Sequence, residues 1–195
     1  LQVLDANEQL KKQLKEIAQL QEKLREESIR DHLTGLYNRR YLHEILSHAI
    51  PKAKRENSKI IFALFDLDHF KQVNDRYGHA IGDEVLICFS KMLMESARQE
   101  DTICRFGGEE FLVVFPSASG FDVSQRVDKW RQTFQEKAVK FGEIEVKVTF
   151  SAGIASFPED GNEMDELFIV ADRRLYLAKE LGRDRVYGWR NVPEA

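Results

Sequence analysis

One apolar run in the middle of the chain constrains the fold more than any other feature. Residues 59–66 are largely apolar, have the length of a β-strand and end at the carboxylate of Asp66. An unbroken apolar run predicts a strand buried at the centre of a sheet, because a strand with one face in water shows alternating polar residues. We therefore expect the domain to be organised around this strand.

The patterns on either side of this strand predict alternating helices and short strands. Helical patterns cover residues 39–57, 81–98, 121–140 and 165–181. Further strand patterns cover residues 102–106, 111–115, 145–157 and 186–188. Asn38 can cap the first helix, and Pro51 is expected to kink or divide it. The βαββαβ order predicts an α+β fold of ferredoxin-like type, with an antiparallel sheet and helices on one face.

Residues 1–30 differ in composition from the rest of the chain. They contain no Gly, Pro or aromatic residue, whereas all 11 Gly and all 13 Phe lie in residues 31–195. An apolar residue recurs at every seventh position, which is typical of a coiled-coil helix, at Val3, Leu10, Ile17 and Leu24. Two registers compete, because the second seam is either Ala6, Gln13, Leu20 and Glu27 or Asn7, Leu14, Gln21 and Ser28.

This helix allows two interpretations. It is either a weakly amphipathic helix that packs on its own domain or one strand of a parallel two-stranded coiled coil. We favour the dimer, because a polar-flanked helix without an aromatic anchor holds little surface alone. Because the chain begins inside the pattern without Met, we also expect an upstream sensor domain, with the competing registers as a switch. The sequence then divides into a coiled-coil helix (1–30), a globular domain (31–190) and a tail (191–195).

Charge and hydropathy exclude several classes of protein. The 29 Lys and Arg against 33 Asp and Glu give a net charge of -4, without the basic surplus of a nucleic-acid-binding protein. The sequence has neither an uncharged apolar run long enough to span a membrane nor a signal peptide. Cys88 and Cys104 lie in apolar stretches, as expected for reduced thiols. We therefore expect a cytoplasmic protein that binds no nucleic acid.

Two acidic clusters lie where predicted strands end. Asp66 and Asp68 follow the apolar strand, and Glu109 and Glu110 occupy the tip of the predicted hairpin, directly after two glycines. Carboxylate oxygens suit Mg²⁺, which takes one or two carboxylates together with substrate phosphates. Any one of these residues alone is better explained as a solvated turn carboxylate. Four at two converging loops favour a metal site.

Polar and basic residues accompany these acids. A dense polar set follows the apolar strand, at Lys71, Asn74, Asp75, His79 and Asp83. Lys179 and Arg183, four residues apart on one face near the end of the last helix, could neutralise a polyphosphate. On spacing alone, a solvated helix end that complements the helix dipole is an equally good interpretation.

The signature of the GGDEF family, the bacterial diguanylate cyclases, resembles one stretch of this chain, Arg105-Phe106-Gly107-Gly108-Glu109-Glu110-Phe111. Four further blocks resemble the family's other motifs in the same order, at residues 31–40, 66–86, 149–155 and 171–186. Five ordered blocks make a chance match implausible. The resemblance implies the GGDEF fold, which is similar to the palm of nucleotide cyclases.

The resemblance implies a reaction in which two GTP molecules form cyclic di-GMP and release two pyrophosphates. Each subunit of a homodimer would present one GTP to the other through facing active sites. Mg²⁺, or Mn²⁺ in its place, would be held by Asp66, Glu109 and the Leu67 carbonyl, and Glu110 would assist. Glu109 is also the implied acceptor of the ribose proton. The implied stabilisers of phosphate charge are Lys71, Lys179 and Arg183.

Asn74 and Asp83 match the family's guanine-reading pair. A carboxylate can accept from both N1–H and N2–H of guanine, whereas adenine has an acceptor at N1. Asp83 therefore favours GTP and argues against the branch that makes mixed cyclic GMP-AMP. His79 lies near the same pocket in the pattern, with a packing or capping role equally open. The other implied substrate-binding residues are Phe70, Gly107 and Gly108.

Arg98 and Asp101 resemble the family's RxxD inhibitory site, which binds the product and lies five residues before Gly107 here. Arg98 could stack on guanine and bind phosphate, and Asp101 could accept from the base. A surface salt bridge is the alternative, but the offset from the signature favours product inhibition. Glu109 stands where the family name has Asp, a common active variant.

Two other classes of function are open. A catalytically silent domain could bind GTP or cyclic di-GMP and regulate a partner, although the signature acids are all present. A pure dimerisation module would not need the polar set after the apolar strand. The favoured function is a diguanylate cyclase controlled by an upstream sensor through the coiled coil and by its product.

Overall fold

A computed structural model describes residues 2–188, except for the side chains of residues 2–6, 8 and 10. Its helices are α1 Gln2–Ile29, α2 Arg39–Glu56, α3 Phe70–Tyr77, α4 His79–Ser96, α5 Gly120–Glu136 and α6 Met164–Glu180. Its strands are β1 Tyr37–Asn38, β2 Ile60–Leu67, β3 Thr102–Gly107, β4 Glu110–Pro116, β5 Val139–Phe141, β6 Ile144–Val146, β7 Phe150–Phe157 and β8 Val186–Tyr187. The predicted tail, residues 191–195, lies outside the described residues.

The apolar run forms β2 at the centre of a six-stranded sheet, in the order β1-β3-β4-β2-β7-β8. It pairs antiparallel with both β4 and β7, and every residue of the strand is buried. The two edge pairings, β1 with β3 and β7 with β8, are parallel. The predicted α+β fold and central strand are therefore confirmed, in a mixed sheet instead of a purely antiparallel one.

The prediction of helices on one face is wrong, because helices cover both faces of the sheet. Phe65 of β2 belongs to one core cluster, with Phe89 of α4 and Trp130 of α5. Its neighbour Leu64 belongs to the other cluster, which is closed by residues of α2 and α6. Successive side chains of a strand point to opposite faces, so an unbroken apolar strand needs a cover on each face.

Helix α2 continues through Pro51 as one helix, so the expected division does not occur. Asn38 caps the helix as predicted, since its Oδ1 accepts from the Tyr41 backbone N–H at 3.1 Å. Leu46, Ile50 and Ala53 are buried on either side of the proline. We attribute the continuity to this packing, because tertiary contacts outweigh the loss of one backbone hydrogen bond.

Several local predictions are corrected by the structure. The predicted strand 145–157 is split into β6 and β7, and β5 and β6 form a separate hairpin. The helix predicted to reach residue 140 ends at Glu136. Gly78, with φ of 85°, separates α3 from α4. The two-residue strand β1 carries no sequence pattern of its own, because it is defined by its pairing with β3 and by the bridge between Tyr37 and Arg30.

Residues 2–29 form one continuous helix, α1, of 28 residues, which lies within the helix predicted over residues 1–30. Its apolar side chains Leu14, Ile17, Leu20 and Leu24 are between 51% and 64% exposed. The seam positions Val3, Ala6 and Leu10 lie outside the described side chains. The coiled coil therefore stays a prediction. Within residues 2–188 there is no helix whose length and hydropathy would let it cross a membrane.

Candidate active site

Three carboxylates meet at one end of the central strands. Asp66 is the penultimate residue of β2 and lies directly across from Glu110, the first residue of β4. Glu109 precedes it in the β3–β4 turn, where Gly108 has φ of 47° and the register shifts between Arg105 and Gly107. A positive φ suits glycine, so Gly108 lets the turn present adjacent acids beside β2.

The three carboxylates have raised pKa values, which makes it unfavourable for all of them to be ionised at once. Burial raises the pKa of Asp66, while the Lys179 ammonium, 2.8 Å from its Oδ2, acts in the opposite direction. Burial also raises the pKa values of Glu109 and Glu110, and the neighbouring charge of Asp66 raises them further. Such a group of acids is stabilised by an additional cation.

The oxygens of these residues fit a Mg²⁺ ion whose remaining ligands are supplied by substrate phosphates. Carboxylate and carbonyl oxygens are hard ligands, which Mg²⁺ prefers. Leu67 follows Asp66 at the end of β2, and its N–H lies 3.4 Å from the Glu109 carbonyl oxygen, which brings its backbone next to the acidic turn. Among the described residues, no group of three or more His, Cys, Asp and Glu forms a metal cage. Mg²⁺ usually binds through one or two carboxylates and substrate phosphates instead of an all-protein cage.

The raised pKa values predict that removing one of these charges stabilises the metal-free protein. An acid whose pKa is higher in the folded than in the unfolded state destabilises the fold when ionised, and this cost disappears as the pH falls below both values. We expect Glu110→Gln to raise the Tm by roughly 1–3 °C at pH 7. The gain should shrink as the pH falls toward the ordinary glutamate value of 4.5.

Thermal unfolding without divalent cations at pH 7 and at pH 5 measures this effect. The exposed Glu95 of α4 provides the matched control, since Glu95→Gln removes the same charge away from the cluster. A Tm of Glu110→Gln that is equal to or below the wild-type value at pH 7 would contradict the electrostatic account.

Asp68 does not belong to this acidic group. It is 4% exposed, and its Oδ1 accepts from the Ser151 hydroxyl at 2.8 Å. Its Oδ2 accepts from the Thr149 hydroxyl at 2.8 Å and from the Asp184 backbone N–H at 3.0 Å. The initial grouping of four acids is therefore corrected, because both oxygens of Asp68 are engaged by protein donors.

The predicted guanine-binding residues lie on α3 and α4. Asn74 packs against Gly82 so closely that a Cβ on Gly82 would lie 1.9 Å from Asn74 Oδ1. This oxygen is buried and has no hydrogen-bond partner among the described residues. Asp83 follows Gly82 in α4, and its side chain is exposed. A buried unpaired acceptor is costly, so the site fits a ligand that supplies a donor.

The remaining predicted substrate residues differ in exposure. His79 is the exposed first residue of α4, and Lys71 is exposed near the start of α3. Phe70 is 6% exposed, and its Cζ lies 3.3 Å from the position of a Cβ on Gly82. Phe70 is therefore part of the buried contact between α3 and α4, whereas Lys71 and His79 are exposed to solvent.

Arg183 is near the acids, but not on the last helix as predicted. Helix α6 ends at Glu180, and Gly182 and Arg183 have φ values of 114° and 60°. The charges of Lys179 and Arg183 both oppose the burial that raises the pKa of Asp66. Both cations therefore serve the acidic site, one from a helix and one from a turn.

The predicted inhibitory pair is asymmetric. The Asp101 side chain is 2% exposed, and its Oδ2 accepts from the Arg98 backbone N–H and from Arg126, each at 2.7 Å. The Arg98 side chain is 64% exposed, and Glu100 is its ion-pair partner at 3.9 Å. Sequence reasoning missed Arg126, because no motif links α5 to the RxxD segment.

A second missed contact joins the end of α1 to the signature turn. Arg105 donates to the Gly108 carbonyl at 2.8 and 3.0 Å and to the Asp31 carboxylate at 3.0 and 3.2 Å. Asp31 also accepts from the Thr34 backbone N–H and hydroxyl, which holds the turn after α1. Both partners lie in motif blocks, but the sequence does not indicate that the blocks touch.

Comparison with known proteins identifies the family. The family described as diguanylate cyclase, GGDEF domain, matches residues 28–185. The chain is 40% identical over 163 residues to the diguanylate cyclase DgcP of Pseudomonas aeruginosa, covering 83% of this chain and 24% of DgcP. It is 36% identical over 163 residues to the response regulator PleD of Caulobacter vibrioides, covering 83% of this chain and 36% of PleD.

The fold has a similar solved structure, the coiled coil and GGDEF domain of DgcB from Caulobacter crescentus in complex with c-di-GMP. The two match with a TM-score of 0.84 and 27% identity, over 90% of this chain and 93% of that one. This chain belongs to the GGDEF family, which confirms the resemblance found in the sequence. It spans 24% of the length of DgcP and 36% of that of PleD.

Proposed function

We propose that this chain is an active diguanylate cyclase that converts two GTP molecules into cyclic di-GMP and two pyrophosphates. The observation that carries the proposal is the convergence of Asp66, Glu109 and Glu110 beside Lys179, with pKa values raised by burial. This acidic group fits divalent cations that bind together with nucleotide phosphates. The diguanylate cyclases among its relatives support the same reaction.

The chemistry is two phosphoryl-type transfers. In each, the 3′-oxygen of one GTP forms a bond to the α-phosphorus of the other, the bond from that phosphorus to the bridging oxygen breaks, and pyrophosphate leaves. When bound, the metal would polarise the α-phosphate and promote ionisation of the attacking hydroxyl. The second transfer closes the ring. Because each site presents one nucleotide, two subunits must face each other.

The residues of this chain have distinct proposed roles. Asp66, Glu109 and the Leu67 carbonyl would hold Mg²⁺ or Mn²⁺, with Glu110 assisting. Glu109 is also the residue proposed to accept the proton of the 3′-hydroxyl. The side chains that neutralise phosphate charge are Lys71, Lys179 and Arg183.

Guanine binds between α3 and α4 in this proposal. Asp83 accepts from N1–H and N2–H, and the buried Oδ1 of Asn74 accepts a further donor. His79, at the start of α4, lines the entrance, and the glycine pair at 107 and 108 leaves room for the triphosphate. This arrangement selects GTP over ATP, because adenine presents an acceptor where guanine has N1–H.

Dimerisation through α1 is part of the proposal. Leu14, Ile17, Leu20 and Leu24 are exposed along the helix, and a second copy of α1 would bury them. An upstream sensor would control the dimer geometry through this helix. We also propose a cytoplasmic location, which is supported by GTP as the substrate and by the unpaired thiols of Cys88 and Cys104.

Incubation of the dimeric protein with GTP and Mg²⁺, followed by nucleotide chromatography, tests the proposal. We expect cyclic di-GMP and pyrophosphate in a 1:2 ratio from the wild type, and no detectable product from Glu109→Gln. If neither protein forms product although both bind GTP, the chain is a regulatory nucleotide-binding domain and the proposed activity is wrong.

Product inhibition is a separate expectation. The exposed guanidinium of Arg98 is available to a ligand, while Asp101 and Arg126 hold the adjoining turn. Arg98→Ala should leave the initial rate within about twofold of the wild-type rate and weaken inhibition by added cyclic di-GMP at least about tenfold. Initial rates at increasing product concentrations measure this effect, with Arg55→Ala on α2 as the control. Unchanged inhibition would remove Arg98 from the inhibitory site.

A further inference from the structure

Asp68 is a buried carboxylate that the proposed reaction does not use. Its two oxygens accept three hydrogen bonds of 2.8 to 3.0 Å, from Thr149, Ser151 and the Asp184 backbone N–H. Its own backbone N–H donates to the Thr149 carbonyl at 2.9 Å. Asp68 therefore ties together the end of β2, the start of β7 and the turn after α6.

The turn held by Asp68 has an unfavourable backbone conformation. Gly182, Arg183 and Asp184 have consecutive φ values of 114°, 60° and 46°. Arginine and aspartate seldom adopt the left-handed region, so the surrounding contacts must hold them there. These contacts include the Asp68 bond to the Asp184 N–H, the Arg183 N–H bond to the Ala178 carbonyl at 3.0 Å and the Arg131–Asp184 ion pair at 2.9 Å.

The same turn carries Arg183, three residues after the end of α6 and four residues after Lys179, which pairs with Asp66 at 2.8 Å. Asp66 and Asp68 are two residues apart, but they have different partners. Asp66 pairs with Lys179 beside the signature acids, whereas both Asp68 oxygens are used by protein donors. Asp68 is thus placed to fix the position of Arg183, which the proposed function assigns to phosphate binding.

We propose that Asp68 is a positioning residue that fixes the Arg183 turn against the ends of β2 and β7, and so sets the affinity for the GTP phosphates. This inference rests on the proposed function, because it assigns Arg183 to the triphosphate. Asp68 touches neither substrate nor metal in this role. It acts through the Asp184 N–H and the backbone that this bond orders.

Thr149→Val is the most conservative test, because it keeps the side-chain shape and removes one donor to Asp68. We expect the variant to fold, to exchange the Asp184 amide hydrogen at least about tenfold faster and to bind the α,β-methylene analogue of GTP about three- to tenfold more weakly in Mg²⁺. Its kcat should stay within about twofold of the wild-type value. Thr133→Val on α5, which removes a bond to the Lys129 carbonyl, is the matched control.

A double-mutant cycle separates positioning from general destabilisation. If Asp68 acts through Arg183, Thr149→Val should not weaken analogue binding further in an Arg183→Ala background. Asp68→Asn provides the second variant, and its weaker binding should likewise depend on Arg183. Additive losses in the two backgrounds, or a loss of kcat with unchanged binding, would overturn the inference.

The outcomes distinguish this inference from the proposed function. If the wild-type protein does not bind the analogue, the proposed function is wrong and the inference falls with it. If the wild-type protein binds the analogue but Thr149→Val changes neither binding nor Asp184 exchange, the inference alone is wrong.

Discussion

Asp66→Asn is expected to lower the rate of cyclic di-GMP formation by at least about 1000-fold, without loss of thermal stability. The amide keeps the shape of the carboxylate but removes the charge that binds a cation and pairs with Lys179 at 2.8 Å. Removing a group that stabilises transition-state charge typically costs two to three orders of magnitude, and loss of a metal ligand adds to this. The variant should still bind the guanine base through α3 and α4.

The stability of the same variant should move in the opposite direction. Burial raises the pKa of Asp66 despite Lys179, so the ionised carboxylate destabilises the fold at neutral pH. We therefore expect the metal-free Tm of Asp66→Asn to be equal to or above the wild-type value. Lys179→Met removes the cation of the Lys179–Asp66 ion pair. It should lower the Tm, because it leaves the buried Asp66 carboxylate without a compensating charge.

Steady-state rates in Mg²⁺ and thermal unfolding without metal test both expectations on the same samples. The control for activity is Asp165→Asn, which changes an exposed acid in the first turn of α6. A variant that retains more than about a tenth of the wild-type rate would show that Asp66 is not an essential part of the site. A folded but destabilised variant would show that the ion pair outweighs desolvation.

The central strand and the acidic turn were predictable because both are local patterns. The apolar run of β2 indicates burial by itself, and the glycine pair before Glu109 indicates a turn that presents acids. The helices on both faces were not predicted, although the run already required cover on each face. The course of α2 through Pro51 depends on packing against the sheet, which a local helix rule does not contain.

Long-range partners account for the rest of what the sequence did not indicate. Asp68 and Asp184 are far apart in the chain, and only the folded turn after α6 brings the Asp184 N–H to the buried carboxylate. The Arg105–Asp31 and Arg126–Asp101 ion pairs likewise join segments with no shared periodicity. Motif positions predict which residues matter, whereas the fold decides which of them touch.

Gly82→Ala is expected to raise the KM for GTP about 10- to 100-fold while changing the Tm by only about 2 °C. The added Cβ would lie 1.9 Å from Asn74 Oδ1 and 3.0 Å from its Cγ, so the Asn74 amide must turn away. No hydrogen bond among the described residues holds this oxygen, so the movement is cheap for the fold. In the proposed binding mode it is costly, because the guanine would lose the buried Asn74 acceptor.

The small expected change in the Tm of Gly82→Ala follows from two opposing free-energy contributions, helix propensity and overpacking. Alanine gains about 1 kcal/mol over glycine inside a helix, and overpacking costs about 1–3 kcal/mol when the neighbours cannot move. The two closest atoms belong to the end of the Asn74 side chain, and Phe70 Cζ at 3.3 Å has to shift only slightly, so the cost should lie near the lower limit and the two effects should nearly cancel. Ala80→Ser adds one atom to the exposed side of the same turn and should leave KM and Tm unchanged. A folded Gly82→Ala protein with wild-type KM would show that Asn74 does not contact the nucleotide, and guanine selection would then have to depend on Asp83 alone.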